Sequence, residues 1–277
     1  VERKIIKNGE DPFEKIRGAE GNFLKGLDFI SVNLEGPITE NTQCQKKAYS
    51  FRFLPKTAKL LFENKINIAN LANNHSFDCG KKGVSDTKEN LDYFGIDYFG
   101  GDKLSNSYVI KEVGGKKTAF VGIDDTFRRI NINNFYQLIT DLKKENDYLV
   151  VNIHWGYEYN KLPSKRQTEI AHKLIDSGAD VVIGHHPHII QPMEIYKNKA
   201  IFYSLGNFVF DQIPKETNEG FGVGIILGDK INKFYLFPYE IINYKPTLFS
   251  CQKAEKFCDS FLKNVETSVV CQFEIFY

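Results

Sequence analysis

Ala179-Asp180-Val181-Val182-Ile183-Gly184-His185-His186-Pro187-His188 carries an apolar run straight into three of the chain's six histidines. The apolar run reads as a buried strand, and the glycine and histidines after it as the loop where that strand ends. Neutral imidazole is the commonest metal ligand, and residues two apart on an extended segment project to the same side. His186 and His188 have that spacing and are expected to face one ion together. A single histidine such as His172 is better read as hydrogen-bonded in polar surroundings, but three within four positions at a strand end favour metal ligation.

Outward from this strand, apolar strands alternate with amphipathic helices. Ser164 caps a helix that runs to Ser177, and Gly178 supplies its stop. Before it, Tyr148 to Ile153 reads as a strand, Phe135 to Glu145 as a helix and Lys117 to Ile123 as extended. Earlier still come strand Phe29 to Leu34, a proline-opened helix over Pro55 to Asn64, strand Ile66 to Leu71 and helix Lys82 to Phe94. After Lys199 the pattern changes. Ala200 to Ser204, Gly222 to Leu227 and Phe234 to Tyr239 are strand-like without helices between them, so a second, mostly antiparallel sheet is expected. Ala254 to Leu262 is helical by pattern. The predicted fold class is α/β, with residues 1–245 as one domain and 246–277 as a partly helical C-terminal extension.

An apolar share of 42% in 277 residues supports a sizeable core, and 23 Phe and 14 Tyr against one Trp and one Met make that core aromatic. With 36 Lys and Arg against 35 Asp and Glu, the balance offers no electrostatic footprint for nucleic acid or an anionic membrane. No stretch reaches the roughly 18 apolar residues of a membrane span. The five cysteines, Cys44, Cys79, Cys251, Cys258 and Cys271, form no CxxC pair and no regular framework. That predicts reduced thiols and a cytoplasmic setting.

Three more strands end in polar clusters, where α/β sheets build their sites. Asn33-Leu34-Glu35-Gly36-Pro37 places a carboxylate at one strand end. Ala72-Asn73-Asn74-His75-Ser76-Phe77-Asp78 places an amide, an imidazole and a carboxylate in one loop. His154-Trp155-Gly156-Tyr157-Glu158 adds a histidine, the only tryptophan and an acid. Each alone is an ordinary turn or a core histidine, and Trp155 reads as packing. Together with the histidine run they offer imidazole nitrogens, an amide oxygen and carboxylates, a donor set suited to Zn²⁺, Mn²⁺ or Fe²⁺ rather than Ca²⁺ or Mg²⁺. A fifth loop, Ser204 to Asp211, brings Asn207 to the same region, and Arg52 offers a fork for phosphate or carboxylate.

Read together, these five motifs resemble the CapA family, named for poly-γ-glutamate capsule synthesis, over about Asp28 to Asp211. That family looks like a branch of the calcineurin-like metallophosphoesterases. The resemblance implies a two-sheet α/β sandwich with helices flanking the sheets and a pair of divalent ions, Mn, Zn or Fe, at the strand ends. It implies Glu35, Asn74, His154, His186 and His188 as metal ligands and His75, with Asp78, as the group that assists the leaving oxygen. Arg52, Glu158, His185 and Asn207 are expected on the substrate side. The family also begins with a strand ending in Gly-Asp; nothing before Glu35 matches it, and Asp11 is followed by Pro12, so a gap is expected at the first metal position. The implied reaction is hydrolysis of a phosphate ester or anhydride on a phosphorylated or anionic small molecule or polymer. The competing expectation is a non-hydrolytic part of a polymer-assembly apparatus that binds an anionic polymer or a lipid-linked phosphate.

Overall fold

The computed structural model describes residues 9–16, 26–101, 104–126, 130–212, 215–229, 231–263, 265 and 271–276. Its elements run β1 (Ser31–Asn33), α1 (Lys56–Glu63), β2 (Ile68–Asn70), α2 (Gly80–Tyr93), β3 (Asp97–Phe99), β4 (Tyr108–Val113), β5 (Lys116–Asp124), α3 (Ile132–Glu145), β6 (Tyr148–His154) and α4 (Lys165–Asp176). They continue with β7 (Val181–His185), β8 (Ile190–Tyr196), β9 (Lys199–Leu205), β10 (Glu219–Ile226), β11 (Ile231–Ile242), β12 (Lys245–Leu248), α5 (Cys251–Phe261) and β13 (Gln272–Phe276).

Six strands pair in the order β4-β5-β6-β7-β9-β8, parallel from β5 to β9 with an antiparallel strand at each edge. Because side chains alternate along a strand, this sheet has two apolar faces. Val121, Ile123, Val151, Ile153, Val182 and Ile201 pack under α3 and α4, against Phe135, Ile139, Ile170 and Leu174. On the other face Phe120, Val150, Val181 and Phe202 meet Ile68, Phe99, Phe221, Phe234 and Phe273. Those partners come from a second layer made of a parallel sheet β1-β2-β3 and an antiparallel sheet in which β11 pairs with β10, β12 and β13. Helices α1 and α2 cover the outer side of β1-β2-β3 through Ala58, Leu61 and Leu91. The expected sandwich with flanking helices is present, its second layer divided into two sheets.

Helix α4 shows how directly the local signals act. Ser164 accepts from the Gln167 amide while the Gln167 side chain reaches back to the Ser164 N–H, a capping box that satisfies two otherwise orphaned donors.

Three expectations need correction. Ala200 to Ser204 does not join the antiparallel sheet; it forms β9, parallel to β7. The hairpin partner β8 was hidden by Pro192, which an edge strand tolerates. Residues 246–277 are no appendage. The boundary falls inside β12, β13 pairs with residues 231–235 of β11, and Cys258 and Leu262 pack into the inter-layer core. The thiols are not all reduced: Cys44 is bonded to Cys79 and Cys258 to Cys271, leaving Cys251 free and exposed. Pairs 35 and 13 residues apart make no local pattern, so only the fold brings the sulfurs together. The ground for expecting a reducing compartment is thereby removed.

Residues 1–8 and 17–25 are outside the described residues, so the expectation of a gap at the first metal position falls partly outside them. Asp11 sits in a turn, its Oδ1 accepting from the Phe13 N–H at 2.8 Å. Among the described residues no helix is long and apolar enough to cross a membrane. The parallel strands β1, β2, β5, β6 and β7 all deliver their C-terminal ends to polar loops, and these ends carry the site.

Candidate metal centre

Glu35, two residues past β1, points its Oε1 at three imidazoles. The Nε2 atoms of His75, His154 and His188 lie 3.9, 3.9 and 3.8 Å from it. Glu35 Oε2 accepts from Asn33 Nδ2 at 3.3 Å, but Oε1 has no hydrogen-bond partner, and neither do Asn74 Oδ1, either nitrogen of His154 or His186 Nδ1. Buried polar atoms left unsatisfied in this number are costly, each on the order of 1–3 kcal/mol. Their chemistry fits a divalent cation: carboxylate, amide oxygen and imidazole nitrogen are the donors such an ion takes. Glu158, His186 and His188 form a second, more exposed group whose ligand atoms lie within 4.8 Å of one another. His188 belongs to both groups.

Electrostatics agree with the donor chemistry. Burial, then the charges of Glu158, Asp78 and Asp124, raises the Glu35 carboxyl to about 8. Burial, then neighbouring histidines, lowers His186 to about 4 and His154 well below the usual imidazole range. Burial alone lowers His185 to about 4, and burial also lowers His188 against the hydrogen bond that its Nδ1–H donates to Asn207 Oδ1. At neutral pH these four imidazoles are uncharged, with lone pairs free for a cation.

The histidine loop does not work by the extended spacing that pointed to it. Strand β7 ends at His185, and His186 and His188 have φ of +97° and +61°, left-handed values that are rare outside glycine. The turn swings both rings inward, with centroids 6.1 Å apart. Strained backbone of this kind concentrates at functional sites. Asn207 Oδ1 lies 2.9 Å from His188 Nδ1, which fixes the proton there and leaves Nε2 to face Glu35. The Asn207 amide is itself held, donating to Gln212 Oε1 and the Thr217 carbonyl. Gly184 permits the approach beneath: a Cβ there would stand 2.1 Å from the Tyr203 carbonyl oxygen and 2.5 Å from Trp155 Nε1. Trp155 is fully buried and donates to that carbonyl at 2.9 Å, a packing role as expected.

His75 is oriented from behind. Its Nδ1 is 2.8 Å from Asp78 Oδ2, leaving Nε2 toward the cluster. Burial pushes the Asp78 carboxyl up, but hydrogen bonds from His75, Lys47 and the Phe51 N–H hold it below the ordinary carboxylate range. The ring of Phe51 lies over His75 at 4.0 Å between centroids, and Phe210 bridges Phe51 and His188.

Six of the residues singled out in the sequence therefore meet in the two donor groups, Glu35, His75, His154, Glu158, His186 and His188, while Asn74, beside His75 in the chain, has a buried Oδ1 without a hydrogen-bond partner. Asp78 and Asn207 stand one shell behind as orienting groups, so Asn207, expected to touch substrate, instead holds a histidine. Glu158, also placed with the substrate, instead groups with His186 and His188. His185 turns to Asn152, with Nε2 3.4 Å from Oδ1, and Arg52 donates to the Thr39 carbonyl at 3.5 Å. Neither contact places these two in the donor groups. Sequence reasoning missed Asp124, at the end of β5 opposite His154 in the register, although its strand had been recognised. It also passed over Asn73, whose buried amide donates to Leu34 O and Asn33 Oδ1 and so ties the Glu35 loop to the His75 loop.

Among curated proteins, the capsule biosynthesis protein CapA of Bacillus anthracis is 37% identical over 214 residues, 69% of this chain and 52% of that protein. The PGA biosynthesis protein CapA of Bacillus subtilis is 36% identical over 210 residues, 68% of this chain and 55% of that protein. The chain spans about half the length of these relatives. Solved structures with a similar course include a Mycoplasma pneumoniae phosphatase, with 13% identity, TM-score 0.47 and coverage of 81% of this chain and 80% of that one. A pattern described as bacterial capsule synthesis protein PGA_cap matches residues 1–212, which contain every residue of the centre, and the chain belongs to that family.

Proposed function

We propose that this domain is a metal-dependent hydrolase of phosphate esters or anhydrides that acts in capsule or surface-polymer biosynthesis. The observation that carries the reading is the convergence of three imidazole nitrogens on one buried, unpartnered carboxylate oxygen. Glu35, Asn74, His154, His186, His188 and Glu158 would hold the metal, and His188, common to both donor groups, makes room for two ions, Mn, Zn or Fe. When bound, such ions bring the pKa of water toward neutral and draw charge from phosphoryl oxygens. The remaining work belongs to the chain. Asp78 accepts the His75 Nδ1–H, and Nε2, which takes a proton from solvent to form the imidazolium that Asp78 stabilises, gives that proton to the leaving oxygen. Phe51 and Phe210 shield the imidazoles from bulk water. The substrate is a phosphorylated or anionic small molecule or polymer, and the two disulfides favour an oxidising compartment.

The test is turnover of p-nitrophenyl phosphate, a phosphodiester analogue and pyrophosphate by the full chain with Mn²⁺, alongside metal analysis. Hydrolysis that falls at least 100-fold in His186→Ala and His188→Ala, together with metal content, is the expected result. Full metal occupancy without turnover of any of the three would instead favour a polymer-binding role.

A further inference from the structure

Residues 41–53 form a strap across the outside of the His75 loop. Its two ends are tied to Thr39 and Pro37, and between them the long-range attachments converge on Asp78 and its neighbours. Gln45 N–H donates to the Asp78 carbonyl at 2.6 Å and its side chain to the Phe77 carbonyl at 3.0 Å. Lys47 Nζ lies 2.5 Å from Asp78 Oδ1 and 3.4 Å from the Asn74 carbonyl oxygen. Phe51 N–H donates to Asp78 Oδ2 at 2.6 Å, the oxygen that also receives His75 Nδ1. Both oxygens of Asp78 are thus used, and three of its partners, Lys47 Nζ and the backbone N–H groups of Gln45 and Phe51, come from the strap.

The end of the strap is also held by the Phe51 ring on His75 and by the Phe53 N–H on the Pro37 carbonyl, but residues 41–50 have little packing of their own. Between residues 41 and 50 no side chain is buried, and most are exposed. Ordering so many residues is entropically expensive, and a half-exposed ion pair with a few polar contacts returns little of that cost. The Cys44–Cys79 bond enters here, because Cys79 directly follows Asp78 and is itself buried.

We propose that Cys44–Cys79 is a positioning crosslink. It keeps Lys47 and Phe51 on Asp78, and through Asp78 it holds His75 in the single tautomer that aims Nε2 at the centre. Lys47 and Phe51 are positioning residues that act through Asp78. The catalytic meaning of His75 rests on the hydrolase reading above, whereas the structural coupling does not.

The test uses the full chain with ¹⁵N-labelled histidine, as wild type, Cys44→Ala, Lys47→Met and a Cys258→Ala/Cys271→Ala control that removes the other disulfide. In wild type, His75 should show one protected Nδ1–H tautomer, and amides 74–79 slow hydrogen exchange. In Cys44→Ala the Nδ1–H signal should be lost to solvent exchange and exchange of amides 74–79 should rise at least 10-fold; Lys47→Met should give a smaller change in the same direction. The control should leave both unchanged. Where wild type hydrolyses p-nitrophenyl phosphate, Cys44→Ala should lower kcat about 10-fold with KM and metal content held. An unaltered His75 tautomer and unaltered exchange of 74–79 in Cys44→Ala would overturn the proposal. Absence of turnover in wild type would count against the hydrolase reading alone, since the spectroscopic readout needs no activity.

Discussion

Glu35 is the residue on which the centre turns, and its burial makes the metal-free protein sensitive to pH in a defined direction. Its carboxyl titrates near 8 when folded and near 4.5 when unfolded, so between these values the folded state binds the extra proton and stability falls as pH rises. His185 and His186 act oppositely: held at about 4 against 6.5, they add stability as pH rises between those two values. The window from about 6.5 to 8 isolates Glu35. Metal-free wild type should lose about 2 kcal/mol across it, and Glu35→Gln should not. Denaturant titrations at the two pH values measure this, and a flat wild-type profile would contradict the burial argument. Asn207 allows a second test at this scale. Asn207→Ala removes the partner of His188 Nδ1 and should weaken Mn²⁺ binding about 10- to 100-fold by calorimetry. The histidines and Glu35 were legible in the sequence because ligating residue types stood together at strand ends. Asp124 was not, because a lone acid looks like any other, and the role of Asn73 was not, because nothing in its motif separates its amide from that of Asn74.

Elements were legible where one signal sufficed. The Ser164 capping residue located α4, and short apolar runs located β5 and β6, each within a residue or two of its observed bounds. Where pairing depends on distant chain, the local signal failed. Strand β9 looked like the start of the antiparallel sheet because its parallel pairing with β7 follows only once the intervening hairpin strand β8 is known. The end of β7 also shows how element and site depend on each other. Gly184 lies where β7, Trp155 and the Tyr203 carbonyl meet too closely for a side chain. Gly184→Ala should cost about 3 kcal/mol through overpacking and disruption of the Trp155 hydrogen bond, read as a lowered urea midpoint. A change below about 0.5 kcal/mol would show that the contact can relax.

At the scale of the molecule, the sandwich gathers loops from two layers, with Glu35 and His75 from one and His154, His186 and His188 from the other. Two disulfides brace it at places no spacing rule marks. Thiol titration of the denatured, unreduced chain should find one reactive cysteine, Cys251; five would mean that neither bond forms. The central claim is that the two layers close on a cation at Glu35. Anomalous diffraction from crystals of the full chain grown with Mn²⁺ tests it most directly. A peak within bonding distance of Glu35 Oε1, with His154 and His188 Nε2 as co-ligands, is the expected result, whereas ordered Glu35 and histidines around no peak, at saturating Mn²⁺, would contradict it.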